Sequence, residues 1–298
     1  MPLFPLFAAL LMFLPGCTKK PANSFDGARA MGYVSDIVAY GPRPVGTPAH
    51  AKVEEYILGH LRNLGVQTET DEFTTDTPAG KLRMRNLIAK IPGEKEGVIV
   101  IGSHYETNYP LRNFVGANDG GSTSGLLLEL ANQLHVKDGK LPGYSVWLVW
   151  FDGEEAIESW TNTDSLYGSR HLAEKWKQDG TIKQIRAFIL TDMIGDRDLN
   201  IERDSNSNGD LQKLALQIAT KLGYQDHFFA RQVPGVQDDH LPFVNAGVPS
   251  IDLIDYDYGP DNSYHHTPQD TLDKLSPQSL EIVGNVVLEM IKHLGNQK

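Results

Sequence analysis

The feature that most constrains the fold is the segment Val146 to Trp160, VWLVWFDGEEAIESW, where six apolar residues without polar alternation run into adjacent carboxylates, Glu154 and Glu155. An unbroken apolar run of that length reads as a strand covered on both faces, the state of a central parallel strand in a sheet sandwiched between helices. Such sheets bind ligands beyond the carboxyl ends of their strands. The two glutamates therefore fall where chemistry is expected. Side by side they repel each other, which calls for a cation between one of them and the rest of a site.

Further apolar strand candidates lie at Leu87 to Ile91, Val98 to Ile101, Ala187 to Leu190 and Ile251 to Ile254. Helical patterns occupy Ala49 to Leu64, Ser122 to Val136, Ser165 to Gln178, Asp210 to Leu222 and Ser276 to Leu294. The first of these stops at Gly65, and the last opens Ser-Pro, both ordinary helix boundary signals. No repeat or Pro/Gly-rich linker divides the chain. The alternation predicts a single-domain, three-layer α/β fold with a central, mostly parallel, twisted sheet flanked by helices.

Residues 1–16, MPLFPLFAALLMFLPG, carry no charge, are too short to span a bilayer, and precede the only cysteine, Cys17. This arrangement resembles a bacterial lipoprotein signal, in which Cys17 becomes the lipidated first residue. Residues 17–24 then read as a polar tether and 25–298 as a catalytic domain. The expectation is an exported chain, periplasmic or at the cell surface, held to the membrane only through a lipid at Cys17. One cysteine also rules out an intrachain disulfide. A net charge of −11, with no basic run beyond Lys19-Lys20, lacks the electrostatic footprint of nucleic-acid binding.

Potential metal ligands recur just past the strand candidates: His104, the Glu154-Glu155 pair and Asp192, with His265 and His266 in the loop beyond the last one. Asp119 sits in the Gly-rich loop GANDGGSTSG, ahead of an expected helix, within reach of the same crevice. Singly, each such residue reads as a cap, a turn or a surface group. Their recurrence at one end of a sheet favours a metal site. Imidazole and carboxylate donors without cysteine suit catalytic zinc.

The motifs GPRPVGTPAH, IGSHYET, GANDGGSTSG, FDGEE, LTDMIG and the late His-Thr pair resemble the zinc-dependent exopeptidase superfamily over Gly41 to Leu294. The segments FDGEEAIESWTNTDSLYGSRHLAEKW, DDHLPFVNAGVP and HHTPQDTLDKL resemble, more narrowly, its glutaminyl-peptide cyclotransferase branch. The resemblance implies one zinc held by Asp119, Glu155 and His266, with Glu154 as the catalytic acid and base. It implies that Asp192 and Asp238 bind substrate and relay protons, that Trp160 walls the pocket, and that His240 is a further pocket residue. His265 stands where many cyclases carry an aromatic wall, which leaves His265 and His266 competing as ligand. Glu106, next to Tyr105, would orient His104 as an outer carboxylate. The implied activity is conversion of an N-terminal glutamine of a peptide or protein to pyroglutamate with loss of ammonia. A zinc aminopeptidase is the alternative, with His104 and Asp192 completing a second metal site bridged by Asp119. A non-catalytic binding ectodomain is a remote third reading.

Overall fold

Local signals in the chain account for most element boundaries in the computed structural model, which describes residues 24–296. In order these are α1 (Gly27–Val38), α2 (Pro48–Leu64), β1 (Gln67–Thr77), β2 (Gly80–Ile91), β3 (Gly93–His104), α3 (Thr123–Leu134), β4 (Leu141–Phe151) and α4 (Tyr167–Gln178). There follow β5 (Ile185–Asp192), β6 (Ile201–Asp204), α5 (Gly209–Leu222), β7 (Phe228–Val233), α6 (Leu241–Asn245), β8 (Ser250–Ile254) and α7 (Pro277–Asn296). Helix α2 shows the logic: the Thr47 side chain accepts from the His50 amide, Pro48 occupies the first turn, and Gly65 closes the helix at φ 74°. The leader, Cys17 and nearly all of the tether lie outside the described residues.

The main sheet runs β1-β2-β4-β3-β5-β8. Strands β4, β3, β5 and β8 are mutually parallel, and β2 joins β4 antiparallel with β1 folded back as a hairpin. The expected central strand thus has a parallel neighbour on one side only. Along β4, Val146, Leu148 and Trp150 face a core shared with α1, α2, α3, α5 and α7, while Val149 and Phe151 face a second core with α4 and α6. Both faces are covered, which is why this strand needs no polar alternation.

Sequence reading missed three strands and two helices for definable reasons. Strand β1, QTETDEFTTDT, is an edge strand whose single buried residue is the polar Asp71, the rest being exposed or half-buried, so it carries no apolar signal. Strands β6 and β7 form a separate two-stranded sheet too short to stand out. Helix α1 buries Ala30, Val34 and Ile37 at helical spacing, but Gly27 and Gly32 interrupt its propensity. Helix α6 has only five residues. Among the described residues no helix is long and apolar enough to cross a membrane.

Candidate metal centre and its cavity

Register places the strand ends level. His104 of β3 pairs with Phe151 of β4, and Asp192 of β5 pairs with Ile254 of β8. Each strand then releases its chain into a loop on the same side, so residues distant in sequence meet there. Asp119 arrives differently: the segment Ala117–Ser122 leads into α3, and Asp119 and Gly120 leave helical geometry within it, turning the carboxylate toward the strand ends.

Two clusters result, and Asp119 belongs to both. On one side His266 Nε2 lies 3.0 Å from Glu155 Oε1 and 3.3 Å from Asp119 Oδ2. On the other, His104 Nε2 lies 3.0 Å from Asp119 Oδ1 and 3.4 Å from Asp192 Oδ1. Glu155 is held by Asn108 Nδ2, which donates to its Oε2 at 2.8 Å, and by its own amide, which donates to Glu106 Oε1 at 3.1 Å. Glu154 stands apart from the first cluster, its Oε2 4.0 Å from His104 Nδ1. The cavity beyond, about 590 Å³, is lined by Asp119, Glu154, Asp192 and Asp238, by both late histidines, and by Trp160 and Tyr256.

Electrostatics follow from crowding acids in a buried place. Burial would raise Asp119, yet the imidazoles of His104 and His266 hold its carboxyl well below the usual range. Burial would lower His266, but Asp119 and Glu155 push it up to about 11. Burial raises Glu154 well above an ordinary carboxyl; His104 opposes this, and repulsion from Asp238, Glu155 and Asp239 adds to it. Burial and the neighbouring Asp192 and Asp239 do the same to Asp238. Among the described residues His104 Nε2 and Glu155 Oε1 are buried and form no hydrogen bond despite facing opposite charge at short range. Such orphaned atoms, each facing the other acids and imidazoles of its own cluster without a hydrogen bond, fit metal ligands rather than hydrogen-bond partners.

The residues expected from sequence are largely brought together. Asp119, Glu155 and His266 meet, as do His104, Asp119 and Asp192. Glu154, Asp192, Asp238 and Trp160 line the cavity, and the half-exposed Trp160 donates its indole N–H to Gln237 Oε1 at 3.2 Å. His265 lines it too: its ring stacks at a tilt on Tyr256, 5.6 Å away, and its donor atom falls in a cluster with those of Asp119 and His266. His240 is placed otherwise than expected. It is fully buried behind the wall, 3.2 Å from Asp204 Oδ2 and 3.8 Å from Asp252 Oδ2, and does not line the cavity. It is the N-cap of α6, and its ring lies between the buried carboxylates of Asp204 and Asp252. Glu106 Oε1 lies 3.8 Å from His104 Nδ1, at the position of an outer carboxylate. Tyr167 donates to Asp164 and Arg170 to the Ser165 carbonyl, which braces the loop after Glu155. Asn108 and Tyr256 went unread, since no periodicity or motif marks them, and Asp239 sat in the motif DDHLPFVNAGVP without a role.

Residues 86–291 match the profile of peptidase family M28. The chain is 34% identical to a glutaminyl-peptide cyclotransferase of Drosophila melanogaster over 77% of this chain and 70% of that protein. In structure it is similar to an Acidobacteriales bacterium glutaminyl cyclase, at TM-score 0.89 and 51% identity over 97% of this chain and 100% of the other. A Porphyromonas gingivalis glutaminyl cyclase aligns at TM-score 0.81 and 28% identity, covering 90% and 98% of the two chains. A leucine aminopeptidase precursor of Bacteroides thetaiotaomicron aligns at TM-score 0.79 and 26% identity, covering 92% and 98%.

Proposed function

We propose, from the premise that the chain belongs to peptidase family M28 and within it to the glutaminyl-peptide cyclotransferases, that it is an acyltransferase which closes an N-terminal glutamine into pyroglutamate. The observation that carries this reading is the divergence of two adjacent glutamates: Glu155 faces Asp119 and His266, while Glu154 faces the cavity outside that trio. Asp119, Glu155 and His266 would hold zinc, which supplies a Lewis acid for the substrate's side-chain amide carbonyl. The remaining steps belong to protein groups. Asp192 and Asp238, on the cavity wall, would accept hydrogen bonds from the substrate's amino group. Glu154 takes a proton from that nitrogen as it forms the ring C–N bond, then returns it to the departing ammonia as the amide C–N bond breaks. Burial raises its proton affinity above that of an ordinary carboxyl, the direction that lets a carboxylate hold a proton between taking it up and giving it away. Trp160 at the mouth limits water, the competing nucleophile.

A second reading has its own support. The His104, Asp119 and Asp192 cluster would accept a second cation, the arrangement of a two-metal aminopeptidase. The two are separated by offering the purified protein a glutaminyl peptide and a leucyl anilide, each with and without chelator. Chelator-sensitive ammonia release without free leucine supports the cyclase. Free leucine supports the hydrolase, and neither product supports a binding domain. The leader sequence supports an exported chain lipidated at Cys17, which the mass of the mature N-terminal peptide tests.

A further inference from the structure

We infer that Arg43, in the connection between α1 and α2, is the positioning residue for the whole metal-ligand set; this rests on the reading that Asp119, Glu155 and His266 hold a cation. Arg43 is fully buried. Its guanidinium donates from Nε to the Tyr105 carbonyl at 2.6 Å, from Nη1 to Val115 at 2.5 Å, and from Nη2 to Gly116 at 2.9 Å and Asp119 at 3.3 Å. Its own amide donates to Thr107 Oγ1 at 2.9 Å. One side chain thus ties both ends of the loop that leaves β3 and returns at Asp119.

That loop touches every ligand. The Asp119 peptide is gripped on both sides, its carbonyl by Arg43 and its amide by Asp270 Oδ2 at 3.1 Å. From the loop's first half, Asn108 donates to Glu155. From its second half, Phe114 sets its ring edge-on to His266, 5.8 Å between centroids at 79°. Gly116 fits the same account, because at φ 52° an added Cβ would lie 2.5 Å from the Asp119 carbonyl and 3.4 Å from Arg43 Nη2. A lysine could not replace this hub, since a single ammonium cannot span carbonyls that a planar five-donor fork reaches at once.

Geometry and charge make opposite predictions, which lets the inference be tested. A buried positive charge near a dication repels it, so loss of charge alone would strengthen zinc binding. Loss of the hub, by contrast, would weaken it. Zinc affinity is to be measured by competition with a chromophoric chelator on wild type, Arg43→Lys and Arg43→Met, with unfolding followed by circular dichroism. Both variants should bind zinc about tenfold or more weakly than wild type, a loss in the range seen when groups that orient metal ligands are removed, while the folded chains unfold cooperatively. Unchanged affinity in Arg43→Lys, or tighter binding in Arg43→Met, overturns the inference. Should neither fold, Thr107→Val removes only the hydroxyl that receives the Arg43 amide and must weaken zinc binding in turn; wild-type affinity there overturns the inference equally. Wild type that binds no zinc overturns the ligand set itself, and the inference with it.

Discussion

Glu154→Gln separates proton transfer from metal binding better than any other single change. The substitution preserves shape and removes one carboxylate. Glu154 approaches His104 only to 4.0 Å, whereas Glu155 comes within 3.0 Å of His266, so the exchange takes no acceptor atom from the Asp119, Glu155 and His266 trio. A positioned acid or base contributes about 10²- to 10⁴-fold to turnover. At about 1.4 kcal/mol per tenfold, that is a loss of roughly 3 to 6 kcal/mol of transition-state stabilisation. Zinc affinity should stay within about tenfold of wild type, because the charge removed lies outside the ligand contacts. Stability supplies an internal control. Burial and neighbouring acids raise the Glu154 carboxyl, so its contribution is present at low pH and is lost as pH rises through its folded-state value. Glutamine removes that loss, and with chelator present the variant should gain in melting temperature over wild type as pH increases. Ammonia release from a glutaminyl peptide, chelator competition and thermal unfolding measure the three quantities. Turnover within tenfold of wild type, or zinc lost together with activity, would refute the division of labour between the two glutamates.

Glu155→Gln should act chiefly on the metal. The amide puts a neutral oxygen where the trio has a charged one, 3.0 Å from His266 Nε2, and chelator competition should show a loss on the order of 100-fold, at or above that for groups that only orient ligands. His50→Leu leaves the buried Asp152 with the Arg85 amide as its remaining partner, at a cost of about 1–3 kcal/mol. Burial disfavours protonated His50, but Asp152 and Glu54 raise it overall, so the pair's stabilisation is full at low pH and fades as pH rises through the folded value. Thermal melts should therefore show the variant's deficit shrinking toward alkaline pH; a constant deficit contradicts the ion-pair account. Asp255, raised to about 8 by burial with help from Asp196 and Glu202, keeps its proton in the folded chain where an unfolded aspartate has lost it. Stability then falls between about pH 4, the unfolded value, and about pH 8, the folded one, and Asp255→Asn should gain on wild type over that interval in urea melts.

What a local pattern can encode was legible. The Val146 to Phe151 run foretold a strand buried on both faces, and Gly65 marked the C-terminal end of α2. The acids and imidazoles of the site were visible as residue types recurring after strands, and motif resemblance supplied the proposed division into ligands and base. The edge strand β1 was invisible because it has little buried surface to leave a pattern. His240 misled because a motif position does not say which way a ring turns; at the N-cap of α6, it faces Asp204 and does not line the cavity.

Convergence itself was decided only in three dimensions. The parallel register of β4, β3, β5 and β8 levels the strand ends that release Glu155 and Asp192, while the non-helical turn at Asp119 and the loop beyond β8 that carries His266 bring the other groups to them. The groups that hold them there, Arg43 on four carbonyls, Asn108 on Glu155 and Asp270 on the Asp119 amide, act through single hydrogen bonds between residues up to 151 positions apart. Burial leaves a periodic trace along a chain because it acts on every turn of a helix or every second residue of a strand. A single directional bond across the fold involves one residue at each end, so it leaves none.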